Sequence, residues 1–111
     1  MEEKRTFFCN NMHQNHFIIE LTKTCGYSEW FLIMKSYTLK DVFRYVKTLL
    51  RTEKFKLYVK DSFNNTCFLE ESDYELNEFI RINHSFFRPI YDLPYQVVYR
   101  LYVDDGHCHH H

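Results

Sequence analysis

Cys9, His13 and His16 stand in a C-x3-H-x2-H pattern, and thiolate with imidazole is a donor set that suits Zn2+. A fourth ligand would have to come from Cys25 or from the tail His107-Cys108-His109-His110-His111, and no spacing selects one. An ordinary polar arm explains the same residues with fewer assumptions, so the sequence assigns no metal and no cofactor. The four cysteines, Cys9, Cys25, Cys67 and Cys108, show no CxxC pairing, and free thiols are expected. Nucleophilic catalysis needs a Cys or Ser beside an oriented His. Cys67 falls inside a predicted short strand and reads as buried filler. Glu70 and Glu71 are adjacent on a strand end and point to opposite faces, which is no acid–base couple. With only 2 glycines there is neither a GxGxxG nor a GxxxxGK phosphate loop. The chain is expected not to be an enzyme.

Charge carries more information. The formal net charge of -1 argues against binding nucleic acid or membranes through bulk charge. That near-zero total hides a segregation. From Thr38 to Lys60 the bases Lys40, Arg44, Lys47, Arg51, Lys54, Lys56 and Lys60 face only Asp41 and Glu53. From Asp61 to Glu78 the acids Asp61, Glu70, Glu71, Asp73, Glu75 and Glu78 meet no base. Opposite patches on one unit can dock partners with steered on-rates or join copies head to tail.

The elements that must hold these charges follow from periodicity. Phe17, Ile19 and Leu21 alternate with Ile18, Glu20 and Thr22, a strand. Thr24 to Ser28 holds the internal glycine, a turn, and Glu29 to Lys35 is a second strand. From Thr38 to about Thr52, Leu39, Val42, Phe43, Val46, Leu49 and Leu50 fall on one helical stripe. Thr38 and Asp41 form a capping box with a short acid. Lys40, Arg44, Lys47 and Arg51 fall on the opposite face. Phe55 to Lys60 is a strand, Asp61 to Asn65 a turn, and Thr66 to Glu70 a short strand. Ser72-Asp73-Tyr74-Glu75 has capping-box form and opens a short helix to about Ile82. Asn83 to Tyr95 reads as a loop with a heavy apolar load, and Gln96 to Val103 as the last strand. Residues 1–16 are an arm or extra strand, 17–104 the domain and 105–111 a flexible tail.

The order strand, strand, helix, strand, strand, helix, strand is that of the α+β ubiquitin-like β-grasp: a mixed four- or five-stranded sheet packed by one long helix and one short helix. Within it, the segment from Lys54 to Ile82 (KFKLYVKDSFNNTCFLEESDYELNEFIRI) resembles the Phox-and-Bem protein-interaction domain. TLKDVFRYVKTLL resembles that family's first helix and YRLYVDD its final strand. The resemblance implies an acidic turn beginning at Asp61, a second helix opening at Asp73, Glu75 and Leu76, and a docking lysine on the first strand, for which Lys23 is the candidate. Asn64 and Asn65 replace residues of the family's acidic turn, thinning its carboxylates to Asp61.

The expected role is a non-catalytic protein–protein interaction or assembly module. Its basic contacts are Lys23, Lys40, Arg44, Lys47 and Arg51, and its acidic contacts Asp61, Glu70, Glu71, Asp73, Glu75 and Glu78. Phe86, Phe87 and Tyr91 are aromatic contacts, because the 83–95 loop carries more apolar surface than a monomer exposes. The partner is another protein or a second copy. The alternative is a nucleic-acid-binding domain using the basic helix stripe with Tyr58, Arg100 and Tyr102 on the sheet, which the neighbouring acids disfavour. No apolar run approaches the ~18–20 residues of a membrane span, and Met1 to Arg5 lacks a signal-like stretch. The expected location is intracellular, cytoplasmic or in a virion. An aromatic content of 19% with no alanine suggests an A/T-rich genome, such as that of a protist or a large DNA virus, and a setting in a viral particle or another large assembly fits it.

Overall fold

The computed structural model describes residues 15–93 and 96–106, those at 91–93 and 96 by backbone alone. Alternating apolar residues build β1 (His16–Lys23) and β2 (Ser28–Met34), an antiparallel hairpin. Its turn needs Gly26, whose φ of +101 is open to glycine at no steric cost.

Helix α1 (Leu39–Leu50) follows. The expected capping box is present: the Asp41 N–H donates to Thr38 Oγ1 at 3.3 Å, and the Thr38 N–H donates to Asp41 Oδ2 at 2.9 Å. Each bond satisfies a backbone donor that no helical carbonyl can reach. Leu39, Val42, Phe43 and Val46 are buried. The helix stops at Arg51, which turns left-handed at φ 58 and donates its N–H to the Lys47 carbonyl at 2.8 Å.

Strands β3 (Lys56–Lys60) and β4 (Thr66–Phe68) form the second hairpin. Then come α2 (Leu76–Ile82), a 3-10 turn (His84–Phe86), β5 (Tyr91–Leu93) and β6 (Gln96–Asp104). The sheet order is β2-β1-β6-β3-β4, with β5 also on β6. Among the described residues only β1 and β6 pair in parallel, and they lie at the centre of that order. This is the expected β-grasp: a mixed sheet of five strands in that order, with the short β5 added on β6.

The inner face carries the core. Phe17, Ile19, Leu21, Phe31, Ile33, Leu57, Val59, Leu101 and Val103 pack with the buried stripe of α1 and with Leu76, Ile80 and Phe87. Burying each such side chain contributes about 1.5–3 kcal/mol, so this face holds the sheet and the helices together.

Two local expectations fail. The Ser72/Glu75 capping box does not form: α2 has Glu75 as N-cap with no side-chain bond. Ser72 Oγ instead accepts the Tyr74 N–H, and the segment is taken up along α1, where the Leu39 N–H donates to the Tyr74 carbonyl and Lys40's to Ser72's. The 83–95 loop contains the 3-10 turn and β5. That strand was invisible to periodicity because three residues show no alternation; pairing with Gln96, Val97 and Val98 creates it.

Candidate functional site

The acids and the bases lie against each other. Because 70–75 runs beside α1, Lys40 pairs with Asp73 at 3.3 Å and Lys47 with Glu71 at 3.6 Å. The expected opposed faces thus share a border and partly neutralise one another. These pairs are solvent-exposed and worth about 0–1 kcal/mol each, weak enough to be exchanged for a partner's charges. Arg44 pairs along the helix with Asp41 at 3.0 Å. The Thr38 backbone N–H is the main cause that holds the Asp41 carboxyl below its ordinary range, and Arg44 adds to it. Arg51 is exposed at the helix end. Glu70, Glu71, Asp73 and Glu75 are exposed and Glu78 half-exposed; Glu78 accepts from Arg81 at 2.6 Å. Among the described residues, Arg51, Glu70 and Glu75 make no ion pair.

On the exposed side of α1, Arg44, Tyr37 and Tyr45 line a depression of 460 Å3 together with Asp41 and Thr48. Both tyrosines are exposed. Tyr45 is held by stacking on Phe31, with ring centres 4.8 Å apart.

Asp61 and Lys23 have internal duties. Asp61 Oδ1 accepts the N–H groups of Phe63 and Asn65 at 2.9 and 2.8 Å, and Oδ2 accepts Asn65 Nδ2 at 2.9 Å. The Asn65 side chain is the main cause of its lowered pKa. Asn64 takes the left-handed conformation at φ 70, which asparagine tolerates and glycine favours. Asp61 therefore builds the β3–β4 turn with the same carboxylate that is expected to open the acidic turn. Lys23 pairs at 3.2 Å with Asp105, whose side chain is almost fully buried, and its ammonium lies 5.5 Å from the Tyr27 ring centre. The lysine expected on a docking face thus ties the end of β1 to the residue after β6.

The aromatic expectation is corrected at Phe87. It is 6% exposed and meets Phe79 and Tyr99 edge to face at 5.8 and 6.0 Å, because the 3-10 turn folds it into the core. Phe86 is half-buried, packed on the core. The backbone of Tyr91 is in β5, and its side chain lies outside the described residues. So do Cys9, His13 and the 107–111 tail, and with them the candidate metal site that includes His16. Cys25 is disulfide-bonded, against the expectation of free thiols, whereas Cys67 is free. No helix of the described residues is long and apolar enough to cross a membrane.

The outer face of the sheet was the less expected surface. Register sets its side chains in rows: Phe68, Tyr58, Tyr102 and Thr22 across one line, and Arg100, Glu20 and Trp30 across the next. Glu20, buried, is the centre of the second row. Its Oε1 accepts Arg100 Nε at 2.8 Å and its Oε2 accepts Trp30 Nε1 at 3.1 Å. The hydrogen bond to Glu20 raises the pKa of Arg100. Tyr58 and Tyr102 stack, 5.3 Å between centres and 13° between planes, with Lys60 Nζ 5.0 Å from the Tyr102 centre. Burial is the main cause that raises the Tyr58 hydroxyl's pKa. Strand alternation sets Glu20 apart from Phe17, Ile19 and Leu21; nothing in the sequence indicates that Glu20 and Arg100, eighty residues apart, meet.

No protein-family model matches this chain, and no curated protein does. Solved structures do. A ubiquitin-like domain from tubulin-binding cofactor B aligns at TM-score 0.55 and 11% identity, over 83% of this chain and 91% of that one. The PB1 domain of AtNBR1 aligns at TM-score 0.56 and 10% identity, over 83% and 99%. At such identities the likeness establishes the fold, which is ubiquitin-like and matches the expected Phox-and-Bem type of architecture.

Proposed function

We propose that the chain is a non-catalytic protein-interaction or assembly module that docks through the exposed face of α1 and the acidic strip beside it. The observation that carries this reading is that Arg44 and the exposed side chains of Tyr37 and Tyr45 line one open depression on α1. Arg and Tyr are the residue types that dominate interface energetics. Lys40, Lys47 and Arg51 supply positive charge around it, and Glu70, Glu71, Asp73, Glu75 and Glu78 supply negative charge alongside. A partner or a second copy exchanges the weak Lys40–Asp73 and Lys47–Glu71 pairs for its own.

The fold likeness to a PB1 domain and to a ubiquitin-like domain supports the same reading. The aromatic-rich, alanine-free composition fits a component of a virion or another large intracellular assembly. Nucleic acid is the weaker candidate, because Tyr58 and Tyr102 turn their faces to each other and acids border the basic helix.

Light scattering at low and high salt tests self-association, and affinity capture from the native source tests other partners, each with Arg44→Glu and Lys47→Glu. Salt-sensitive association lost in these variants is expected. A chain that is monomeric in every condition, with captured proteins indifferent to both substitutions, has another function.

A further inference from the structure

At one end of the outer sheet face, Lys60 at the end of β3, Arg88 after the 3-10 turn and Arg100 on β6 line a single cleft of 320 Å3. Phe86 and Tyr102 give it apolar walls. Among the described residues Lys60 and Arg88 make no ion pair, whereas Lys23, Lys40, Arg44, Lys47 and Arg81 all do. The one carboxylate in the lining, Asp61, already accepts three hydrogen bonds from its own turn. Arg100 is fixed differently: buried Glu20 holds its Nε, which orients the guanidinium so that its remaining N–H groups can serve an anion. An arginine set in this way loses little rotamer freedom when it binds.

We propose that this cleft docks an acidic segment of a partner protein in which carboxylates alternate with apolar side chains. The inference rests on the protein-interaction reading above and gives it a second contact surface, away from α1. Carboxylates answer Lys60, Arg88 and Arg100, and an apolar side chain answers the walls of Phe86 and Tyr102. A single-stranded nucleic acid fits less well. Two rings lying side by side in one plane cannot bring their centres within 5.3 Å, so Tyr58 and Tyr102 are face to face, and Lys60 lies over both rings. Little open ring face is left for bases. Asp61 and Glu20 would also repel a continuous phosphate backbone, whereas spaced carboxylates can avoid them.

The test uses the full chain and a short fluorescein-labelled peptide of alternating glutamate and leucine, read by anisotropy. Saturable, salt-sensitive binding is expected. Arg88→Glu, in an exposed loop, and Lys60→Gln should each weaken it about tenfold, the worth of one charge-assisted hydrogen bond. Arg44→Glu and Lys47→Glu should leave it unchanged. Three results overturn the proposal: no saturable binding, binding indifferent to both cleft substitutions, or tighter binding of an oligothymidine than of the peptide. If the α1 variants lose association while the cleft variants behave as the parent, the cleft assignment fails and the interaction reading stands. If peptide binding maps to the cleft and Arg44→Glu changes nothing anywhere, the α1 assignment fails instead.

Discussion

Replacing either partner of the Glu20–Arg100 pair should destabilise the domain, and the two substitutions should differ in a set direction. The Glu20 side chain is 11% exposed and that of Arg100 40%. Arg100→Ala leaves a buried carboxylate with Trp30 Nε1 as its remaining described partner, and an under-satisfied buried charge costs about 2–3 kcal/mol. Glu20→Ala leaves a guanidinium that water can reach, so only the net worth of the pair and the indole bond is lost, about 1–2 kcal/mol. The double variant should be milder than the sum by about 1 kcal/mol, since it removes the orphaned carboxylate.

Urea unfolding followed by the fluorescence of the single tryptophan, with circular dichroism as a check on Trp30's own environment, measures all three. In thermal scans each kcal/mol corresponds to roughly 4–6 °C for a domain of this size. If Glu20→Ala costs more than Arg100→Ala, or if the two add without coupling, the row is not held by a buried carboxylate as argued.

Two further outcomes follow from the geometry. Phe87→Ala should cost about 3–5 kcal/mol and lower the unfolding midpoint, as expected of a core ring wedged between Phe79 and Tyr99; a stable variant that loses only partner binding would restore Phe87 as a docking anchor. Asp41 has a folded pKa below its unfolded one, so its contribution to stability is present above the unfolded value of about 3.9 and vanishes as pH falls through the folded value. Asp41→Ala should therefore be less stable than the parent by about 1 kcal/mol at neutral pH, with the gap in urea midpoints closing in acid; a gap constant down to about pH 2 would mean that the carboxylate does not cap α1.

How much could be read in advance depended on the range of the interaction. The cap at Thr38 and Asp41 lies within four residues, and propensity and spacing suffice to find it. The stripe Leu39, Val42, Phe43, Val46 is periodic over the whole helix and so announces its buried face. The same local rule failed at Ser72 and Glu75, because the first-turn N–H groups of α2, those of Leu76 and Asn77, donate to the Tyr37 and Lys35 carbonyls ahead of α1. It failed again at Phe87, since a ring in an irregular loop carries no periodicity to say which way it turns.

Residue order alone thus determined the elements other than β5 and the 3-10 turn, their sequence along the chain and the alternation that sorts each long strand into two faces, because these depend on neighbours a few positions away. Only the tertiary structure decided which charges meet. Lys47 and Glu71, Lys23 and Asp105, and Glu20 and Arg100 are brought together by strand order and helix placement. Coulomb attraction over a few ångströms is blind to their separation along the chain.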